Sequence, residues 1–179
     1  NATLQLIAAE ALGIVPENIN IYLMDTELTP DGGPTTARRQ TYVTGNAVKN
    51  AALALRSRIE DLVTAKFGCE KCQLNFGSEA ITAGTDQIGW REVYDLLQKS
   101  EEGTSVEVRY SAPQTFSLET GGKIHVAYGF GAQAVKVALD VENGDVKGLG
   151  GIAASDAGRG INPPGFQSQV EGGGVMGGG

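Results

Sequence analysis

Asp25-Thr-Glu-Leu-Thr-Pro-Asp-Gly-Gly-Pro-Thr-Thr-Ala-Arg-Arg-Gln-Thr-Tyr-Val-Thr-Gly45 is the stretch on which the reading of this chain turns. Turn-forming residues (Pro30, Asp31, Gly32, Gly33, Pro34) leave a strand-like Leu23-Met24 and deliver the chain into a long helical pattern. The first backbone N–H groups of a helix lack intrahelical partners and favour an anion. Thr35, Thr36, Arg38, Arg39, Gln40 and Thr41 add side-chain donors at the same place. The chemistry fits a phosphorylated or polyoxygenated ligand. An ordinary N-capped helix carrying two solvated arginines, the commoner case, fits it better.

Working outward, residues before and after the loop read as helices. Leu4, Ile7, Ala8 and Ala11 stand at helical spacing over residues 2–12, and Gly13 and Pro16 end the pattern. Asn20–Met24 is predicted as a strand. From Tyr42 to Lys66, Val48, Ala51, Ala52, Leu55, Ile59 and Leu62 keep one face apolar, and Gly68 closes the helix. Its first turns are small, which lets a backbone or a cofactor lie close. Residues 72–76 and 79–83 are predicted as a hairpin around Gly77-Ser78. Thr85-Asp86 is predicted to cap a helix whose face is Trp90, Val93, Tyr94 and Leu97.

Beyond Ser100 the period shortens to two. Val106, Val108 and Tyr110 alternate, as do Ile124, Val126 and Tyr128, and then Val135, Val137, Leu139 and Val141. Asn143-Gly144 joins 133–142 to 145–154 as a hairpin. This half is predicted as an antiparallel sheet with one buried face, and the fold class as α+β, helices first and meander after. Asp156 closes a strand and leads through Gly-Arg-Gly to Asn162-Pro163, after which Gln169 and Glu171 enter a glycine run. Residues 172–179 taken alone read as a flexible end.

Composition sets the outer limits. The 179 residues are 41% hydrophobic and 20% charged, ordinary for a globular chain with a core. A formal charge of −7 argues against nucleic-acid binding, which is driven by neutralising phosphates. No apolar run approaches the roughly eighteen residues of a membrane helix, so a soluble, cytoplasmic protein without membrane association is expected. Cys69-Glu-Lys-Cys72 and the single His125 fall short of a four-ligand metal set, and reduced surface thiols are expected, with a redox module as a weaker alternative. His125 alternates away from the apolar side of its strand and receives no catalytic role. No nucleophile elbow, phosphate loop or dinucleotide fingerprint is present.

Several stretches taken in order resemble the molybdenum-cofactor-binding subunit of the xanthine dehydrogenase and aldehyde oxidase family. They are the loop and helix start at 25–46, Tyr128-Gly-Phe-Gly-Ala-Gln, the Val135-x-Val-x-Leu-Asp-Val hairpin, Asp156-x-Gly-Arg-x-Ile-Asn-Pro and Gln169-Val-Glu-Gly-Gly. The first helix, with Ile-Ala-Ala-Glu-Ala-Leu-Gly, also fits. The resemblance spans nearly the whole chain outside roughly 67–120.

It implies an oxidoreductase that adds a water-derived oxygen to an aldehyde or N-heterocycle. Electrons would pass from molybdenum through iron–sulfur centres to FAD, both held on partner subunits or domains in a hetero-oligomer. The cofactor would be molybdopterin cytosine dinucleotide. By motif, Thr36, Ala37, Arg38, Arg39 and Gln40 would line the pterin and its phosphate, and Gln169 would face the metal end, with no protein ligand to the metal. Residues 1–179 would be an internal piece of the molybdopterin-binding domain, with a helix-rich part (1–100) and a sheet and glycine-rich part (101–179). The family's catalytic glutamate lies beyond the Gln-Val-Glu-Gly motif and its Gly-Gln-Gly motif precedes the first helix, so this stretch alone is expected to be inactive. Arg38 stands where a small residue is common, and Gly174 and Gly178 replace apolar helix residues. The competing reading is a non-catalytic α+β binding domain whose cofactor site has decayed.

Overall fold

A computed structural model describes residues 2–23, 25–34 and 39–177. It divides into two compact units, Asn1–Ala112 and Pro113–Gly179. The architecture is α+β, with antiparallel pairing in both sheets.

The first unit starts with α1 (Ala2–Leu12). It ends where Gly13, at φ 78°, returns its N–H to the Ala9 carbonyl at 2.8 Å, a glycine stop of the left-handed kind. Gln5 then donates to the carbonyls of Pro16 and Ile19, at 2.7 and 2.9 Å, and so ties the returning chain to α1. The predicted strand at 20–24 is not formed: residues 19–23 are irregular, and Met24 lies outside the described residues. No described neighbouring strand pairs with that segment, so its alternation has no ladder to join.

α2 runs from Arg39 to Phe67. Its first half packs on α1 at Gly45, where an added Cβ would sit 3.0 Å from Ile7 Cδ1, so the small early turns admit the neighbouring helix. Its second half covers a three-stranded antiparallel sheet ordered β1 (Leu74–Phe76), β2 (Ala80–Ala83), β3 (Asp86–Gly89). Ile59, Val63, Ile81, Ala83, Ile88, Val93 and Leu97 form the buried core between α2, the sheet and α3 (Trp90–Lys99). Val63, Ile81 and Ile88 are wholly inaccessible.

Two expectations change here. Thr85-Asp86 does not cap a helix. Gly84, at φ 64°, and Thr85 instead make a tight reversal, so that Asp86 pairs with Ala83 and Ile88 with Ile81. Pointing Ile88 at the core outweighs the capping potential of Asp86, and α3 begins only after Gly89. In the preceding hairpin, Gly77 pairs with Ala80 through a 2.9 Å N–H···O bond, leaving Ser78-Glu79 at the tip, one residue later than predicted. Trp90 is half-buried against the core and donates from Nε1 to the Gly77 carbonyl at 3.1 Å.

In the second unit, β4 (Phe130–Leu139) and β5 (Val146–Asp156) pair antiparallel across the turn that carries Asn143-Gly144, as predicted, with a register shift at Lys136/Val137. The expected strands at 106–110 and 124–128 do not form. The buried face expected of this sheet is also not observed: every residue of β4 and β5 is exposed, Ile152 at 77%. A two-strand ribbon has no second layer of its own to cover either face.

The glycine-rich end is helical, not frayed. α4 spans Pro163–Gly177, with Gly178 and Gly179 outside the described residues. Asn162 caps it through Oδ1, which accepts from Gly165 N–H at 3.2 Å, and Pro163 and Pro164 occupy the first turn.

Candidate functional site

The loop before α2 is built from short side-chain to backbone bonds. Asp25 Oδ1 accepts from the N–H groups of Glu27 and Leu28 at 2.9 and 3.1 Å, and Thr29 closes back on the Asp25 carbonyl through its N–H at 2.8 Å. Asp31 Oδ1 accepts from Gly33 N–H at 2.8 Å, with Gly33 at φ 74°. These turns shape the loop through its own side chains and backbone.

Arg39, the first residue of α2, is exposed and folds back over this loop. Its Nη1 donates to the Gly32 carbonyl at 2.6 Å, and a Cβ added at Gly33 would stand 3.2 Å from that nitrogen. One guanidinium nitrogen therefore fixes the loop to the helix. Gln40 is half-buried. With Thr41, Thr3, Leu4 and Leu23 it lines a pocket of about 100 Å³ where the starts of α1 and α2 meet. The first turn of α2 contains no acidic side chain, so the positive end of the helix dipole is not offset there by its own residues.

Of the six residues singled out from sequence, Gln40 lines this corner and Arg39 reaches back to the loop at Gly32. Thr36, Ala37 and Arg38 lie outside the described residues. Gln169 belongs to the second unit, exposed on α4, where Gln167 Nε2 donates to Glu171 Oε1 at 2.7 Å. Thr3, Leu4 and Leu23 carry no local signal of a site in the sequence. Their role follows from α1 crossing α2 at Gly45, a tertiary approach that no local spacing announces.

The remaining chemistry-bearing groups lie apart from this corner. Cys69 packs against the core and Cys72 is exposed, both as free thiols, the latter 3.6 Å from Glu70 Oε2. Among the described residues no three His, Cys, Asp or Glu side chains are grouped to hold a metal ion. His125 meets the edge of Tyr128 with centroids 5.9 Å apart. No helix among the described residues is long and apolar enough to cross a membrane.

A family model described as molybdopterin cofactor-binding domain matches residues 1–179. The chain is 30% identical over 176 residues to one of the subunits of a probable xanthine dehydrogenase from Bacillus subtilis, covering 98% of this chain and 23% of that protein. It is 28% identical over 169 residues to an aldehyde oxidoreductase of Megalodesulfovibrio gigas, covering 93% of this chain and 16% of the relative. Its fold matches a crystal structure of a Cu,Mo-CO dehydrogenase with a TM-score of 0.74 at 23% identity, over 96% of this chain and 21% of that one. The chain therefore spans about a fifth of the length of the proteins it is similar to.

Proposed function

The chain belongs to the molybdopterin cofactor-binding domain family, and from that premise we propose that the loop at 25–34 and the start of α2 hold the anionic part of a molybdenum cofactor. The observation that carries this reading is the start of α2, free of acidic residues, where Gln40 and Thr41 line the corner pocket with an amide and a hydroxyl while Arg39 ties the preceding loop to the helix. The residues suit the group. Helix-start N–H groups and uncharged donors favour phosphate oxygens, and Gln40 offers both a donor and an acceptor to a pterin edge. A pocket of about 100 Å³ admits a phosphate or one edge of a ring, well short of the roughly 300 Å³ at which small-molecule sites begin. The corner is thus one contact region within a larger site.

When bound, the cofactor supplies oxygen transfer and two-electron chemistry at molybdenum. The residues of this chain bind and orient it: Arg39 pins the loop, Gln40 and Thr41 present hydrogen-bonding groups, and Thr36, Ala37, Arg38 and Gln169 add further contacts. We take the whole protein to be a molybdenum hydroxylase acting on an aldehyde or N-heterocycle. In it, the cytosine dinucleotide form of the cofactor is bound, and iron–sulfur and FAD partners take the electrons in a cytoplasmic hetero-oligomer.

The test is Gln40→Glu in the full-length subunit, purified with its partners. It keeps the side chain's size and places a negative charge at the anion corner, so pterin retained per protomer should fall about tenfold or more, with Gln40→Met losing less. Unchanged retention in Gln40→Glu would overturn the placement.

A further inference from the structure

The segment after α3 is tied to α2 at two points far apart along that helix. At one end, Arg58 Nη1 donates to the carbonyls of Glu102, Gly103 and Ser105, each at 3.0 Å, and its guanidinium pairs with the Glu102 carboxylate. At the other end, Tyr110 meets Tyr42 edge-on, with ring centroids 6.4 Å apart and planes at 71°. Between them Val106, Val108 and Tyr110 are half-buried while Glu107 and Arg109 are exposed, the alternation of an extended chain. That alternation predicts a strand, yet the segment belongs to no sheet.

Sixteen residues separate Tyr42 from Arg58, about 24 Å along a helix axis. Six extended residues cover about 20 Å, and the two long side chains close the difference. Tyr42 stands in the first turn of α2, three residues after Arg39 and two after Gln40. Helix first turns fray because their N–H groups lack intrahelical partners, and here that turn carries the proposed binding groups.

We propose that Ser105–Tyr110 is a strap, clamped by Arg58 and by Tyr42, and that Tyr110 is a positioning residue holding the first turn of α2 in place for an anionic cofactor. The inference rests on the functional reading above and deepens it. Tyr110 does not touch the ligand; it acts through Tyr42.

Amide hydrogen exchange on the full-length subunit in its complex, with Tyr110→Leu and Tyr110→Phe, tests it. In Tyr110→Leu the amides of residues 43–49 should exchange about tenfold faster while those of 59–66 keep their protection, because the second half of α2 is held by the core. Retained pterin should fall in parallel. Tyr110→Phe keeps the ring edge and should restore most of both. Unchanged exchange at 43–49, or a uniform loss of protection along all of α2, overturns the strap. Pterin content of the unsubstituted protein separates the two claims: its absence sinks the functional reading, whereas the exchange pattern decides the strap in either case.

Discussion

Arg56 lies over the face of Phe76, its guanidinium carbon 4.4 Å from the ring centroid, while its Nε holds Glu60 at 2.8 Å. Phe76 in turn leans on Trp90, with centroids 6.1 Å apart. Gly13 closes α1 against this stack: a Cβ there would come within 2.8 Å of Arg56 Nη1 and 3.3 Å of Phe76 Cβ. Gly13→Ala should therefore destabilise the protein by about 1–3 kcal/mol. Part comes from the left-handed backbone, part from displacing Arg56 off the ring. Chemical denaturation checks it, and an Arg56→Ala background should shrink the effect because the displaced partner is gone.

Ile81 and Ile88 are cross-strand partners and both are wholly buried. Truncating either to Ala leaves a cavity that α2 and the sheet cannot collapse around, and should cost about 2–5 kcal/mol in thermal or urea unfolding. The two costs should not add in the double variant, since the residues share one void.

Alkaline pH should weaken the first unit. Tyr110 titrates above the usual tyrosine range, chiefly through its polar contact with Tyr42, then through burial and the charge of Tyr42. Lys71 is likewise raised, first by its hydrogen bond to Asp61, while burial opposes it and the charges of Asp61 and Glu60 add to it. For a raised group the stabilisation is complete below the unfolded pKa, about 10 for Tyr and 10.4 for Lys, and is lost as pH climbs through the folded value. Denaturation midpoints followed from about pH 9 to about pH 12 should fall, and Tyr110→Phe with Lys71→Met should flatten that fall. Neither group contributes a pH dependence in the acid range.

Asn162 joins β5 to α4 by accepting from Gly165 N–H, and Phe166 N–H returns to the Asn162 carbonyl at 2.9 Å. Asn162→Ala should cost about 0.5–2 kcal/mol of helix stability. With Gly172, Gly173 and Gly174 in its interior, α4 has little propensity in reserve. Faster amide exchange over 166–172 in the full-length protein is the expected readout.

The helices of the first unit are legible in the sequence because their apolar spacing and glycine stops are local signals: Gly13 and Gly68 end α1 and α2 where the pattern places them. Asn143-Gly144 announces its hairpin for the same reason. Signals that need a partner mislead. Val106–Tyr110 has the period of a strand and serves as an irregular strap, and Asp86 has the chemistry of a cap and serves in a strand. The fate of each depends on which surface it meets, α2 in the first case and β2 in the second. The glycine run at 172–174 suggests fraying, yet a proline first turn and an asparagine cap set it as a helix. Arg39 and Gln40 can be named from the helix start alone. The pocket wall formed by Thr3, Leu4 and Leu23 depends on how closely α1 approaches Gly45.

The most direct test of the account is the molybdenum and pterin content of the protein isolated from its native source, together with its intact mass. Binding of the cofactor at this domain predicts about one molybdenum and one pterin per protomer, released together on denaturation, in a polypeptide heavier than the 18.6 kDa of these residues. A protein isolated with its partners and free of both molybdenum and pterin would contradict the account and leave an α+β binding domain in its place.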